Sequence, residues 1–378
     1  MRVLMTGGGT GGHVNPALAI ANTIKQNDPE AVIEYVGTSR GIESKLVPAA
    51  GYPLHFVEIQ GLRRKLTLSN LKTVWLTLTS PAKAKKIIRE FKPDLVVGTG
   101  GYVSWPVVKA ASQLGIPCAL HESNAIPGVA VRMLASSVDR IYLNFEETGA
   151  RLGCPEKLLR VGNPLLNASF TMDQAEARAK LGIPDKYKYF ILSYGGSMGA
   201  ERLNAAVLKL MRDFTAKHPE VYHLHATGAI EKELCGGWFK EMGLDKYENI
   251  KLVEYIYDMP YQMAAADLII CRAGAMTISE LAISGKCAVF IPSPNVTDNH
   301  QYKNAKVLVD AGAAALFEER ELEPTEAAPL TQCVSELLSD AGTERRKSME
   351  KAIRDFAVTD ANKRIYLDLL DLVKNKKN

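Results

Sequence analysis

One arrangement occurs twice in this chain and limits its fold more than any other feature: a short apolar strand, a glycine-rich loop and a helix. In the first half, residues 3–5 lead into the loop 7–13 (GGGTGGH), and a helix is predicted over about 15–25. In the second half, residues 189–193 lead into the loop 195–199 (GGSMG), followed by a predicted helix. Strands that alternate with helices are typical of parallel sheets covered on both faces. The repeat predicts an α/β chain with two doubly wound parallel-sheet domains facing each other across a cleft.

The other apolar runs and the chain length agree with two domains. Further strands are predicted at 32–36, 95–97, 117–121, 140–143, 221–226, 250–253, 267–271 and 288–291, and a helix at 107–114. A chain of 378 residues exceeds what one core usually supports. Turn-forming residues cluster at 162–164, so we expect domains over 1–163 and 164–356. Helical spacing of Ile365, Leu369, Leu372 and Val373 predicts a C-terminal helix at about 357–378.

Composition and charge exclude several classes of protein. The formal net charge of +4 is too small to indicate a nucleic-acid partner. The six cysteines form no C-x-x-C pair, so we expect a reducing cytoplasm and no disulfide framework. Glycines at 7–12 interrupt the N-terminal apolar stretch, and no apolar run reaches the roughly 20 residues that span a bilayer. Any membrane contact is therefore expected to be peripheral.

The two glycine loops of the first half favour an anionic ligand. Each loop, 7–13 and 98–102, follows a strand and precedes a helix, where backbone N–H groups face a ligand. The first loop contains G-x-G-x-x-G, but the second strand ends at 35–38 (YVGT) without the acid that a dinucleotide site requires. Nicotinamide and flavin cofactors are therefore not expected. The loops are instead predicted to flank a group such as a diphosphate.

His13 is the candidate general base of this half. It lies beside the first loop, where an imidazole could accept a proton from an attacking hydroxyl. The alternative is a histidine at a helix end that only hydrogen-bonds to backbone. Residues 121–124 (HESN) end another strand, and Glu122 is a rival base. The sequence leaves the choice between His13 and Glu122 open.

The second half offers a site for a nucleotide diphosphate. Residues 271–280 (CRAGAMTISE) run from a strand through a loop into a helix, so Arg272 and the helix start could neutralise the diphosphate. Glu280 could accept both hydroxyls of a ribose, or act only as a favourable charge near a helix start. Residues 297–301 (TDNHQ) could bind sugar hydroxyls. No D-x-D motif is present, so we expect no required metal.

Together these motifs resemble the MurG family of bacterial glycosyltransferases. The matching segments lie, in order, at 8–13, 100–104, 121–124, 162–164, 195–200, 272–280 and 301. The resemblance implies a GT-B fold of two Rossmann-like domains, with the C-terminal helix packed back on the first. It implies inverting transfer of N-acetylglucosamine from UDP-GlcNAc to lipid I, the undecaprenyl-diphospho-MurNAc-pentapeptide, to give lipid II for peptidoglycan synthesis. No cofactor is implied.

The resemblance also assigns site residues by position. Glu280 would hold the ribose, the backbone of Ile256 would bind uracil, and Gln301 would bind the donor sugar. The full donor set is Thr10, Gly11, Gly12, Asn124, Ser197, Ile256, Arg272, Ala275, Met276, Thr277, Glu280 and Gln301. The residues expected at the acceptor diphosphate are Gly9, Gly100, Gly101 and Tyr102. Departures from the family pattern are Trp105, Ser123, Leu166, Met198 and His300.

Residues 62–92 predict the membrane contact. Arg63, Arg64 and Lys65 are followed by an apolar helical face. The members of that face are Leu71, Val74, Trp75 and Leu78. Cations beside an apolar face suit an anionic bilayer, although a core-facing helix has the same pattern. With the resemblance, we expect peripheral attachment to the inner leaflet of the cell membrane, with other cell-wall synthesis proteins as further partners.

Two other functions remain as alternatives. A different sugar-nucleotide enzyme of the same fold, such as a UDP-GlcNAc 2-epimerase, would not need the membrane segment. A non-catalytic membrane scaffold would not need His13, Arg272 and Glu280, which are all present.

Overall fold

The computed structural model describes residues 1–60, 68–166, 172–322 and 328–377. The chain divides into two compact units. Unit 1 comprises Met1–Leu166 with Val358–Asn378, and unit 2 comprises Asn167–Ala357.

Unit 1 is built on a parallel sheet. Its strands are β1 (Arg2–Thr6), β2 (Val32–Gly37), β3 (Leu54–Phe56), β4 (Leu95–Gly98), β5 (Cys118–Glu122), β6 (Arg140–Leu143) and β7 (Leu158–Arg160). Its first helices are α1 (Gly11–Asn27), α2 (Glu43–Ala49), α3 (Leu68–Phe91), α4 (Ser104–Gln113) and α5 (Val129–Leu134). The described strands lie in the order β3-β2-β1-β4-β5-β6-β7. The order reverses between β1 and β4, and crevices at such switch points are where doubly wound sheets bind ligands.

Unit 2 repeats this architecture. Its strands are β8 (Tyr189–Tyr194), β9 (Val221–Ala226), β10 (Ile250–Val253), β11 (Leu268–Cys271), β12 (Ala288–Phe290) and β13 (Ala314–Leu316). Its helices are α6 (Gln174–Lys180), α7 (Glu201–Asp213), α8 (Lys232–Glu241), α9 (Met259–Ala265), α10 (Ala275–Ser284), α11 (His300–Asp310), α12 (Ala328–Leu337) and α13 (Thr343–Arg354). The described strands lie in the order β10-β9-β8-β11-β12-β13, all parallel, so the switch point falls between β8 and β11.

The last helix, α14 (Ala361–Lys377), belongs to unit 1. Ile365, Leu369 and Val373 are buried in the core that α1 shares with one face of the sheet. Asp368 on the same helix accepts hydrogen bonds from Arg140 Nε at 2.9 Å and from the Tyr142 hydroxyl at 2.8 Å. Helix α14 is thus held against the sheet by its buried apolar side chains and by a partly buried ion pair between Asp368 and Arg140.

Two helices begin earlier than predicted. The structure begins α1 at Gly11 rather than near residue 15, and α4 at Ser104 rather than at 107. Glycine carries no side chain and so adds nothing to an apolar periodicity, and this hid the first turn of α1 from a pattern-based prediction. As a result, Gly11, Gly12 and His13 lie in the first turn of a helix and not in the loop before it.

In the central strands, successive residues are buried, so both faces of each sheet are covered. Val3, Leu4 and Met5 of β1 are fully buried, as expected for the central strands of parallel sheets. All six cysteines are described and buried, and none is bonded to another. None of the helices in the described ranges is both long and apolar enough to cross a membrane. The predicted membrane residues, Arg63, Arg64, Lys65 and the side chains of Leu71, Val74, Trp75 and Leu78, lie outside what the structure describes.

Candidate functional site

The two glycine loops of unit 1 meet at the switch point between β1 and β4. The Gly8 N–H donates to the Gly100 carbonyl at 3.3 Å. A Cβ on Gly101 would lie 2.2 Å from the Gly8 carbonyl oxygen, and Gly101 has a φ of +76°. Both the close approach and the left-handed backbone therefore require glycine here. The loops that sequence reasoning paired as a diphosphate site lie directly against each other.

His13 projects from the first turn of α1 beside these loops. Its Nδ1 lies 3.0 Å from the Gly8 carbonyl oxygen and 3.3 Å from Thr10 Oγ1. The ring packs on Gly100, where a Cβ would lie 2.7 Å from His13 Cδ2. The Thr99 hydroxyl donates to the backbone carbonyl of His13 at 2.6 Å. The imidazole thus contacts Gly8, Thr10 and Gly100, while Thr99 binds the backbone of the same residue, so the ring is positioned beside the loops as a general base requires.

Glu122 is used differently. The buried carboxylate accepts from the Asn124 N–H at 2.9 Å, the Asn124 side-chain amide at 3.1 Å and the Gly128 N–H at 2.8 Å. Burial raises the pKa of Glu122, and these hydrogen bonds oppose the rise. The carboxylate thus holds the loop that follows β5, and this arrangement favours His13 over Glu122 as the base.

The other polar groups of unit 1 surround the loops. His121 is fully buried beside the Gly162 carbonyl, with Nε2 3.0 Å away, and burial lowers its pKa to about 4. Tyr102 is exposed, and its ring lies 3.5 Å from where a Cβ on Gly9 would be. Burial, followed by the charge of Glu43, raises the pKa of Tyr102. Trp105, a departure from the family pattern, is partly buried and packs on the apolar core.

Sequence reasoning missed Glu43, the first residue of α2. Its side chain is fully buried and accepts a hydrogen bond from the Gly9 N–H at 3.0 Å. It also accepts from the Thr38 backbone N–H and hydroxyl. The available signal was an acidic residue in a segment with glycines at 37 and 41, but nothing local to that segment points to the first loop.

Arg272 in unit 2 has partners that the sequence did not predict. It follows β11, and its Nη1 donates to the Ile291 carbonyl at 2.9 Å. Its Nη2 lies 2.5 Å from Glu319 Oε1 in an ion pair of two largely buried side chains. The ion pair with Glu319 and the hydrogen bond to Ile291 hold the guanidinium in place. Removing Glu319 would leave the buried charge of Arg272 without its partner, which is strongly destabilising. Arg202 lies 3.9 Å from the other oxygen of Glu319.

A cavity of about 500 Å³ adjoins this ion pair. Its lining includes Arg202, Pro292, Asn295, Tyr302, Glu319 and Arg320. Pro292 follows β12 and Glu319 follows β13, so the cavity lies at the carboxyl ends of these strands. Ligands of doubly wound domains bind at this end.

Glu280 lies in the second turn of α10, whose first turn contains Ala275, Met276 and Thr277. Burial raises the pKa of Glu280 to about 7, so its charge changes close to neutral pH. Four backbone N–H groups at the start of any helix lack intrahelical partners and attract anions. The helix start and Glu280 thus provide, on one element, groups for a diphosphate and for a diol.

The remaining predicted donor residues lie in loops of unit 2. Ser197 is exposed after β8, and its carbonyl accepts from the Ala229 N–H at 3.0 Å. Ile256 is buried in the loop after β10. Gln301 accepts from the Ser293 N–H at 2.9 Å through Oε1, so its side chain supports the loop after β12. Within the described ranges, no group of three or more His, Cys, Asp or Glu residues could hold a metal ion.

The chain matches known families over most of its length. The glycosyltransferase family 28 N-terminal domain matches residues 3–143, and the family 28 C-terminal domain matches residues 190–365. The UDP-N-acetylglucosamine--N-acetylmuramyl-(pentapeptide) pyrophosphoryl-undecaprenol N-acetylglucosamine transferase of Acetivibrio thermocellus is 40% identical over 379 residues, covering 100% of this chain and 99% of the relative. Transferase 1 of the same description from Bacillus cereus is 40% identical over 378 residues, covering 99% of this chain and 100% of the relative.

Solved structures agree with this assignment. The crystal structure of Acinetobacter baumannii MurG superposes with a TM-score of 0.77 at 29% identity, covering 98% of this chain and 99% of that one. A UDP-GlcNAc 2-epimerase from Neisseria meningitidis bound to UDP-GlcNAc has a TM-score of 0.66 at 15% identity, over 98% of this chain and 99% of that one, and shares the fold alone. Since both domain families and full-length relatives match, the chain belongs to the MurG family of glycosyltransferases, within glycosyltransferase family 28.

Proposed function

We propose that this chain transfers N-acetylglucosamine from UDP-GlcNAc to lipid I, the undecaprenyl-diphospho-MurNAc-pentapeptide, and so forms lipid II for peptidoglycan synthesis. The observation that carries the proposal is the 40% identity, over the whole chain, to transferases named for this reaction. The glycine loops at one switch point and the Arg272–α10 segment at the other supply the anion-binding groups that two diphosphate substrates require.

The donor is assigned to unit 2. The first turn of α10 and Arg272 neutralise the UDP diphosphate, and Glu280 accepts the two ribose hydroxyls. Ser197, Ile256 and Gln301 complete the donor contacts within this unit, with Ile256 at the uracil and Gln301 at the sugar. Thr10, Gly11, Gly12 and Asn124 of unit 1 are the further donor contacts that the family pattern assigns. No step in this scheme needs a cofactor.

The acceptor is assigned to unit 1. Gly9, Gly100, Gly101 and Tyr102 bind its diphosphate, and His13 accepts the proton of the attacking hydroxyl. As that oxygen forms a bond to the anomeric carbon, the bond from this carbon to the UDP oxygen breaks and UDP leaves with the electron pair. Attack on the face opposite the leaving group inverts the anomeric centre. Because UDP leaves as an anion, the cationic and N–H groups of the donor site stabilise the transition state.

Membrane attachment is assigned to residues 62–92, whose cations and apolar positions suit the anionic inner leaflet. The substrate of the named relatives carries an undecaprenol chain, and peripheral binding would bring the enzyme to such a lipid. Association with other cell-wall synthesis proteins is a further part of this proposal.

The test is transfer of labelled N-acetylglucosamine from UDP-GlcNAc to a short-chain lipid I analogue, with release of UDP as a second readout. Label in a disaccharide lipid is the expected result. Turnover of UDP-GlcNAc without a lipid product would overturn the acceptor assignment and favour a 2-epimerase or another transferase, whose fold this chain shares.

A further inference from the structure

Glu43 is a buried carboxylate whose two oxygens are both occupied. Oε1 accepts from the Thr38 N–H at 3.0 Å and from the Thr38 hydroxyl at 2.6 Å. Oε2 accepts from the Gly9 N–H at 3.0 Å. Charge-assisted hydrogen bonds of this kind are stronger than neutral ones, and they compensate the loss of hydration of a buried group.

Three glycines lie against this carboxylate and its side chain. A Cβ on Gly8 would lie 2.6 Å from Glu43 Oε1, and a Cβ on Gly41 would lie 2.1 Å from Oε2. A Cβ on Gly37 would lie 2.6 Å from Glu43 Cγ. The Glu43 side chain therefore occupies space that is open only because Gly8, Gly37 and Gly41 have no side chains, and a larger residue at any of the three would collide with it.

One peptide group joins this carboxylate to His13. The Gly9 N–H that donates to Glu43 and the Gly8 carbonyl that lies 3.0 Å from His13 Nδ1 belong to the same planar unit. A negative charge at the N–H end polarises the carbonyl at the other end and strengthens the hydrogen bond there. Glu43 is therefore coupled to the imidazole without touching it.

The Gly8 carbonyl favours one tautomer of His13. A carbonyl oxygen can only accept a hydrogen bond, so its 3.0 Å contact with Nδ1 is a hydrogen bond when Nδ1 carries the hydrogen, and Nε2 is then the unprotonated nitrogen. The Thr10 hydroxyl, 3.3 Å from the same nitrogen, can also accept that hydrogen. Catalytic bases are commonly oriented in this way by a third group, often a carboxylate bonded directly to the imidazole. Here a peptide group stands between the carboxylate and the ring.

We propose that Glu43 is a positioning residue that, through the Gly8–Gly9 peptide group, holds His13 in the tautomer with the hydrogen on Nδ1 and stabilises the imidazolium that forms during transfer. The inference rests on the proposed function, in which His13 is the base.

The titratable neighbours of this relay are uncharged near neutral pH. Burial holds the pKa of Tyr35, on β2, well above its usual range, and burial also raises that of Tyr102 in the second glycine loop. Burial lowers the pKa of His121, on β5, to about 4. None of these three groups therefore accounts for the pH effect that the proposal assigns to Glu43.

The first test is Glu43→Gln, which keeps the size of the side chain but removes its charge. We expect kcat to fall about tenfold, a part of what a general base contributes, while KM for UDP-GlcNAc stays within twofold. The acidic limb of the pH–rate profile moves to lower pH, because an imidazolium without a nearby anion loses its proton more easily. In a His13→Ala background the same substitution changes the residual rate by less than about twofold, because coupled residues are not additive.

The matched control is Glu34→Gln. Glu34 lies on β2 and pairs with His55 at 2.6 Å, so it is another glutamate beside a histidine in the same unit. This variant keeps the kcat and pH profile of the parent. A Glu43→Gln enzyme with the parent's kcat and profile, or an equal loss in both His13 backgrounds, overturns the proposal.

A second measurement needs no variant and decides the case if Glu43→Gln fails to fold. Nitrogen-15 NMR of the histidine-labelled parent protein reports which ring nitrogen of neutral His13 is protonated, and we expect Nδ1. Protonation at Nε2 overturns the proposal. If His13→Ala turns over normally, both the base assignment and the role of Glu43 fail. If His13→Ala is slow and Glu43→Gln is normal, only the role of Glu43 fails.

Discussion

At the scale of single residues, the site depends on side chains that are held by distant parts of the chain. His13 lies against Gly8 and Gly100, and Arg272 is paired with Glu319 and bonded to the Ile291 carbonyl. Polar groups held before the substrate arrives need little reorganisation during the reaction. Their geometry, rather than their residue type alone, makes them candidates for chemistry.

His13→Ala tests the proton transfer. We expect kcat to fall by about tenfold or more, because a general base typically contributes 10²–10⁴ in rate. The affinity for UDP should stay nearly unchanged, because the imidazole is bonded to the acceptor-side loops of unit 1. Steady-state transfer kinetics and UDP titration measure the two effects. The control is His55→Ala, which removes a histidine paired with Glu34, and normal turnover of His13→Ala would remove His13 from the mechanism.

The proposed contact between Glu280 and the ribose predicts that donor binding depends on pH. Burial raises its pKa to about 7, so the group is an acceptor-only carboxylate above that pH and a neutral acid below it. Because the ribose hydroxyls donate to the carboxylate, we expect KM for UDP-GlcNAc to rise as pH falls below about 7, approaching tenfold per pH unit. Glu280→Gln should bind the donor weakly and lose this dependence. Glu350→Gln, which alters another carboxyl of unit 2 with a raised pKa, should retain it.

At the scale of elements, strand β9 contains a polar network inside the sheet. His223 and His225 are fully buried, and the Ser193 hydroxyl lies 2.9 Å from a ring nitrogen of each. His225 Nε2 lies 3.1 Å from Asn204 Oδ1, and Asn204 donates to the Thr227 carbonyl at 2.9 Å. The network links β8, β9 and α7. It lies next to the glycine loop of unit 2, since Gly199 of that loop packs on the Thr227 carbonyl.

This network should make the protein sensitive to acid. Burial lowers the pKa of His225 to about 4, whereas an unfolded histidine has a pKa of about 6.5. The unfolded chain therefore binds more protons between these values, and the contribution to stability, present above pH 6.5, is lost as pH falls toward 4. Each such histidine contributes a slope of about 1.4 kcal/mol per pH unit at most.

Urea unfolding between pH 7 and pH 4.5 measures this slope. His225→Asn should unfold more easily at pH 7 but show a shallower decline on acidification than the parent. The comparison between variants is needed because Glu122 and Glu280, with raised pKa values, contribute slopes of opposite sign. His218→Asn, a control at a half-exposed histidine, should decline like the parent, and an equal slope in His225→Asn would contradict the prediction.

At the scale of the whole molecule, the two sheets share one topology, and each has a switch point of the kind at which doubly wound sheets bind ligands. The predicted fold class, two doubly wound parallel-sheet domains of the GT-B type, is confirmed by the two sheets and by the MurG structure. Predicted membership of the MurG family and glycosyltransferase activity are confirmed by the family and full-length matches. The assigned site residues and the membrane segment remain predictions.

Charge reversal at Arg63, Arg64 and Lys65 tests the membrane segment. Each cation near an anionic surface contributes about 1 kcal/mol, so replacing the three with glutamate should reduce binding to phosphatidylglycerol vesicles by at least tenfold. Vesicle sedimentation measures the loss. The control replaces three exposed lysines of unit 2, Lys217, Lys240 and Lys246, with the same change in net charge. Equal binding by the two triple variants would show that the segment is not the anchor.

The sequence alone determined the features that depend on local pattern. Alternating apolar runs and glycine loops predicted two parallel sheets, and the loops at 7–13 and 98–102 were correctly paired, because parallel strands end at the same edge of a sheet. Helix starts at Gly11 and Ser104 were misplaced, since glycine and loop residues give no periodic signal. The role of α14 in unit 1 came from the family resemblance rather than from its spacing.

Only the tertiary structure decided which side chains contact the candidate site groups, namely the first glycine loop and Arg272. Glu43 is 34 positions from Gly9, and Glu319 is 47 positions from Arg272. No local pattern connects such residues, because their contacts arise when separate strand–helix units close on one sheet edge. Glu122, the rival base of the sequence analysis, accepts hydrogen bonds from the Asn124 and Gly128 N–H groups, which reach its oxygens only in the folded turn. Residue types are visible in the sequence, but the hydrogen bonds that assign their roles depend on the packed fold.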